Sequence, residues 1–131
     1  MATIRAYTTI EQSRKLAEIL PLESADMYWF NRHIDLTETK YEVFVIDKSN
    51  KYIDFFKSYA IAIDNKEIIP CWSLASLLSV LPEGYSFVLT KSFNEKDYYC
   101  KLDGKPIETM KDNPVDACYE MIVKIHELKM L

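Results

Sequence analysis

Between Pro70 and Pro82 the chain reads Trp72, Leu74, Ala75, Leu77, Leu78, Val80 and Leu81, relieved only by Ser73, Ser76 and Ser79 at spacing three. A helix with that pattern has almost no polar side, so it must be covered on most of its surface by other elements. The two prolines set its limits, and the serines form a narrow ridge suited to close packing or to hydrogen bonds with the backbone. The segment is therefore expected to be the central helix of the fold, and the remaining elements must supply its cover.

Two further helices are readable. Ile10, Leu16, Ala17 and Leu20 share one face while Glu11, Lys15 and Glu18 share the other, which places a helix over about 9–20. Thr8 with Glu11, or Thr9 with Gln12, can form its capping box, and Pro21 ends it. Near the C-terminus Asn113 can cap, Pro114 suits the first helical position, and Asp116 complements the helix dipole. Val115, Cys118, Ile122 and Ile125 then make an inward stripe, flanked by Met121 and Leu128, with His126 at its boundary.

After Gly84 the period changes to two: Tyr85, Phe87 and Leu89, then Tyr98, Cys100 and Leu102, then Ile107 and Thr109. Asp103-Gly104 is a strong hairpin signal of the type I′ kind, so a three-stranded meander is expected over about 85–109. Tyr41 to Asp47 reads as a strand apolar on both faces, extending that meander and ended by a turn at Lys48–Lys51. Residues 52–63 suit a helix by spacing but strands by their β-branched and aromatic content, and strands are preferred. The expected fold is α+β: a single domain over residues 1–131, with an antiparallel meander sheet and two to three helices packed on one face.

Composition excludes several functions. Only Gly84 and Gly104 are present, 20 residues apart, so neither a Walker phosphate loop nor a dinucleotide fingerprint can be written in this chain. The net charge of −4 disfavours nucleic acid, whose affinity comes from Lys and Arg displacing counterions. From Lys91 to Asp112 five lysines meet five acids, leaving no net basic patch. The longest apolar run is Tyr59 to Ile63, and Arg5 and Glu11 interrupt any signal-peptide core, so no membrane span or export is expected and the location is expected to be cytoplasmic.

Catalytic constellations are equally scarce. Cys71, Cys100 and Cys118 lie 29 and 18 residues apart, which fits neither a disulfide framework nor a structural zinc site. Cys118 sits in the inward stripe as a small apolar side chain. Cys71 falls at the expected start of the central helix, where a dipole lowers a thiol pKa, but no base is placed near it. His33 and His126 belong to no metal motif. No catalytic set, metal or cofactor is therefore expected. The aromatics stand out instead: Trp29 in the run Tyr28-Trp29-Phe30, Trp72, and the pair Tyr98-Tyr99. An alternating strand points one of Tyr98 and Tyr99 outward, and one of Tyr28 and Trp29 likewise. Trp29, Trp72, Tyr98 and Tyr99 are accordingly the expected binding residues, since exposed aromatics bring large contact area at low entropic cost.

Three stretches carry a resemblance: Thr9–Leu16 with Ser24–Met27, Ile69–Leu74, and Asn113–Cys118 running on to Leu128–Leu131. Together, over about half of the chain, they resemble short uncharacterised proteins of gut Bacteroidetes, many in prophages or other mobile elements. That family has no activity to carry over, and its members often have alanine in the place of Cys71, which counts against a catalytic thiol there. The resemblance implies a setting, an accessory protein of a mobile genetic element. The expected function is a noncatalytic interaction protein with a protein partner, and a homodimer remains open. The alternative is a small-molecule-binding module, with or without hydrolytic activity, using a pocket between sheet and helices lined by Trp72 and tyrosines. A nucleic-acid mimic is weaker, because −4 is too small a charge to imitate a phosphate track.

Overall fold

The computed structural model describes residues 5–33, 39–46, 68–92 and 96–131. The chain divides into two compact units, an N-terminal one of Thr9–Trp72 and a C-terminal one of Ser73–Leu131 together with the residues up to Thr8.

The N-terminal unit starts with α1 (Ile10–Ala17). Of the two capping boxes available, Thr9 with Gln12 forms: the Gln12 amide donates to Thr9 Oγ1 at 3.1 Å and the Thr9 amide to Gln12 Oε1 at 3.0 Å. Regular helix stops at Ala17, three residues short of the expectation, although the Leu20 amide still reaches the Leu16 carbonyl at 2.8 Å. That last turn keeps Leu16 and Leu20 buried before Pro21 redirects the chain. A 3-10 turn at Leu22–Ser24 leads into β1 (Met27–His33), which pairs antiparallel with both β2 (Thr39–Val45) and β3 (Ile68–Cys71). The sheet order is β2-β1-β3. Leu16, Leu20, Ala25, Ile46, Ile68, Ile69, Cys71 and Trp72 form the buried set.

The strand near residues 41–47 thus does not extend the meander. It joins β1 in a separate sheet, where Trp29 stands opposite Val43 and Tyr28 opposite Phe44, so each of its faces meets an apolar partner across the pair. The turn expected at Lys48–Lys51 and the strands expected over 52–63 lie outside the described residues.

The C-terminal unit contains α2 (Leu74–Ser79), β4 (Phe87–Lys91), β5 (Tyr98–Leu102), β6 (Ile107–Lys111) and α3 (Pro114–Glu127). The central helix is shorter and wetter than its composition predicts. α2 buries only Ser76 and Leu77, leaves Leu78 40% exposed, and does not contain Trp72. Fewer than two turns leave Leu77 as the one buried apolar residue of the helix, and its serines act on the backbone instead. Ser73 Oγ caps the Ser76 amide at 3.2 Å, Ser76 Oγ donates to the Ser73 carbonyl at 2.9 Å, and Ser79 Oγ to the Ser76 carbonyl at 2.8 Å. Ahead of it, the Leu74 amide donates to the Ala6 carbonyl, and Tyr7 bridges Ser73.

The meander forms as expected, in the order β4-β5-β6. Its last turn differs from the type I′ expectation. Gly104 has φ +79°, Asp103 is not left-handed, and the Lys105 amide donates to the Leu102 carbonyl at 3.3 Å. Positive φ at the third turn position alone is the type II pattern, and Leu102 pairs with Ile107 across a four-residue loop rather than a two-residue one. Pro106 in that loop has no amide for a ladder.

α3 follows its sequence signals closely. Asn113 Oδ1 accepts from the Val115 amide at 2.8 Å, with Pro114 in the first turn. Arg5 pairs with Asp116, and Asn113 Nδ2 donates to the Arg5 carbonyl, which ties the chain's beginning to this helix. Val115, Ala117, Cys118, Met121, Ile122 and Ile125 are fully buried. His126 and Leu128 are exposed rather than at the core boundary, because the helix closes there: Lys129 turns left-handed, and the Met130 amide reaches the Ile125 carbonyl at 2.9 Å. The class is α+β, a meander sheet with helices plus a second antiparallel sheet. Among the described residues no helix is long and apolar enough to cross a membrane.

Candidate functional site

In β1 and β2 the alternation of side chains puts Tyr28, Phe30, Phe44, Glu42, Ile68 and Pro70 on one face of the N-terminal sheet. Three of these are aromatic and in mutual contact. Tyr28 stacks on Phe44 with ring centroids 5.5 Å apart and planes 25° apart, and Phe30 meets Phe44 edge-on at 6.4 Å. These are the offset and edge geometries that the ring quadrupole favours. Tyr28 also packs against Ile46 and Ile68, which anchors the inner end of the cluster. The outer end is open: Phe30 is 38% exposed and Phe44 42%. Rings held by each other and by a buried base, yet facing water, form a preordered apolar surface.

The expected binding residues fall elsewhere. Trp29 is half-buried on the opposite face of β1, in register with Val43 and Ile69. Trp72 is fully enclosed, and its Nε1 donates to Ser24 Oγ at 2.9 Å, so this ring serves the core of the N-terminal unit. Tyr98 and Tyr99 are both half-buried and stand on opposite faces of β5, as alternation requires. Lys91 Nζ lies 5.9 Å from the centroid of Tyr98, and Lys101 Nζ 5.2 Å from that of Tyr99. Each tyrosine thus has a cation over its ring, and Lys101 also approaches Glu108 at 3.7 Å. Trp29 and Trp72 thus belong to the N-terminal unit, and Tyr98 and Tyr99 to the C-terminal one. Phe30 and Phe44 were missed because a strand apolar on both faces reads as buried on both, and only the Tyr28-Trp29-Phe30 run hinted at an open side.

Two hollows lie in the C-terminal unit. One, of about 330 Å³, is lined by Leu78, Leu81, Pro82, Glu83, Tyr85 and Phe87, between the end of α2 and the start of β4. The other, of about 600 Å³, follows the β5–β6 hairpin past Val88, Lys101 and Lys105. The first is lined by Tyr85 and Phe87 and does not include Trp72.

The thiols are all buried. Cys71 ends β3, opposite Met27, and is not the first residue of a helix, so the dipole expected to activate it is absent from its position. Donation toward Cys100 together with burial pushes the Cys118 thiol up, while acceptance from Cys118 holds the Cys100 thiol below its usual value against the opposing effect of burial. Among the described residues no three His, Cys, Asp or Glu side chains converge to hold a metal ion. No protein-family model, curated protein or solved structure matches the chain.

Proposed function

We propose that this protein is a noncatalytic interaction protein that binds a protein partner through the open aromatic face of its N-terminal sheet, in the setting of a mobile genetic element. The observation that carries this reading is the Phe30–Phe44–Tyr28 cluster, whose rings are fixed by one another while two of them stay about two-fifths exposed. Ordered aromatic rings lose little entropy on docking and are the side chains that most often dominate an interface. Glu42 beside Phe30 gives the patch a polar rim.

The test is capture of partners on tagged protein from lysate of a Bacteroidetes host, with and without nuclease, in parallel with the double variant Phe30→Ser/Phe44→Ser. A stoichiometric protein retained by the parent, indifferent to nuclease and lost from the folded variant, supports the proposal. Equal capture by both proteins refutes the assignment to this face. If light scattering shows a dimer that the variant abolishes, the partner is a second copy.

A second reading rests on the hollow beside α2. Its volume of about 330 Å³ lies at the lower end for small-molecule sites, and it sets Leu78, Tyr85 and Phe87 around Glu83. A metabolite at a hundred times its Kd would stabilise the chain by about 2.7 kcal/mol. A thermal-shift screen with no stabilising compound, or one whose hit still stabilises Tyr85→Ala, removes this reading.

A further inference from the structure

Residues 5–8 do not belong to the unit that follows them in the chain. Arg5 pairs with Asp116 in the first turn of α3, and its carbonyl accepts from Asn113 Nδ2 at 3.3 Å. Arg5 Nε also donates to the Tyr7 carbonyl at 2.7 Å. One residue on, the Ala6 carbonyl accepts from the Leu74 amide at 3.2 Å, and Tyr7 forms an antiparallel bridge with Ser73, the N-cap of α2. Thr8 is fully buried. Residues 5–8 therefore stitch the start of α2 to the start of α3, and these partners all lie in the C-terminal unit. The chain leaves that unit after Thr8 and returns to it at Ser73, and the Tyr7–Ser73 bridge sets the exit beside the return.

We propose that residues 5–8 are a clasp that makes Thr9–Trp72 an insertion, able to open and close as one cooperative step while the C-terminal unit stays folded. Both ends of the insertion are held by bonds internal to the C-terminal unit, so melting of β1–β3 breaks none of them. With its ends fixed side by side, the opened segment is a closed loop. It gains less freedom than two loose tails, and β1 and β3 find each other again from a restricted ensemble. Opening of part of a fold follows units of contact, and here those units depart from the order of the sequence. Thr8 goes with α2 and α3, whereas Thr9, the next residue, goes with α1. The inference concerns how the N-terminal unit opens, not which of its surfaces meets a partner, so it stands apart from the proposed interaction.

The test is native-state hydrogen exchange on the full chain, resolved by residue, in urea raised through concentrations below the unfolding transition. The amides of β1 and β3 are expected to merge on one opening curve, and those of β5 and α3 on a second at higher free energy. The Leu74 amide, bonded to the Ala6 carbonyl, should stay off the first curve although it lies three residues from β3. Trp72→Ala should speed exchange in β1 and β3 by about a hundredfold or more, and in β5 and α3 by less than about twofold. Arg5→Ala removes the pair with Asp116 and the bond to the Tyr7 carbonyl. It should do the converse, speeding Leu74 by about tenfold while β1 and β3 move by less than about twofold. A single curve for the whole chain, a Leu74 amide that merges with β1 and β3, or an Arg5→Ala variant that speeds β1 and β3 as much as Leu74 overturns the proposal. If Trp72→Ala leaves the N-terminal unit unfolded altogether, retained protection in β5 and α3 supports the proposal and its loss refutes it.

Discussion

The two sheets are equal in strand number and both antiparallel, but their strands find each other differently. In the C-terminal unit each strand pairs with its neighbour in sequence, and α3 follows directly to cover one face. In the N-terminal unit β1 lies in the middle and pairs with β3, about forty residues further on in the chain. Short connections make the meander a product of local chemistry, whereas the β1–β3 pairing requires closing a long loop before any contact rewards it. Both units have fully enclosed cores, with Leu16 and Trp72 in one and Val115, Met121 and Ile122 in the other, and both expose apolar side chains, Val88 and Met110 in the meander among them. What sets the N-terminal sheet apart is that its exposed rings, Phe30 and Phe44, pack on each other and form a continuous surface.

Substitutions can break or sharpen that contrast. The largest effect is expected from Trp72→Ala, which empties the biggest fully buried site of the N-terminal unit and removes the donor to Ser24 Oγ. A loss of about 3–5 kcal/mol is expected by urea unfolding, with faster amide exchange in β1 and β3. If exchange changed only in β4–β6, the division of the core would be wrong. Ile122→Ala should cost about 3 kcal/mol through the cavity it leaves beneath α3, read in the same way at β5 and β6. Asn113→Ala, which removes the cap of α3 and a bond to the Arg5 carbonyl, should cost about 1 kcal/mol and show as fraying of the first turn. Phe44→Ala should cost less, under about 1 kcal/mol, because its ring is 42% exposed, while abolishing partner capture. A large stability loss without a change in capture would make that ring core rather than contact surface. Lys101→Ala should change stability by less than about 0.5 kcal/mol, since its pairing with Glu108 at 3.7 Å is half-exposed.

Much of the fold was legible because its signals act over three or four residues. The Asn113-Pro114 start of α3, the Thr9–Gln12 box and the three meander strands all rest on caps and alternation. Where a feature depended on something distant, legibility failed. The Trp72–Leu81 segment looked like a central buried helix because its composition cannot show that Trp72 leaves the helix to pair with Ser24, or that Leu78 faces water. The site residues suffered most. Period two tells that Tyr98 and Tyr99 oppose each other, but not that each ring lies beneath a lysine. The same rule separates Trp29 from Phe30 without saying which of the two faces stays open.

The sequence by itself determined the starts of α1 and α3, the meander and its strand faces, because hydrogen bonds to caps and the alternation of side chains are settled by near neighbours. With only Gly84 and Gly104, it also contains neither a Walker phosphate loop nor a dinucleotide glycine fingerprint. Tertiary structure decided that the strand at Thr39–Val45 belongs with β1, that Trp72 is enclosed in the core, and that Phe30 and Phe44 keep about two-fifths of their surface exposed. Those outcomes depend on which surfaces meet after loops close, a choice made by total burial and not by the residues on either side.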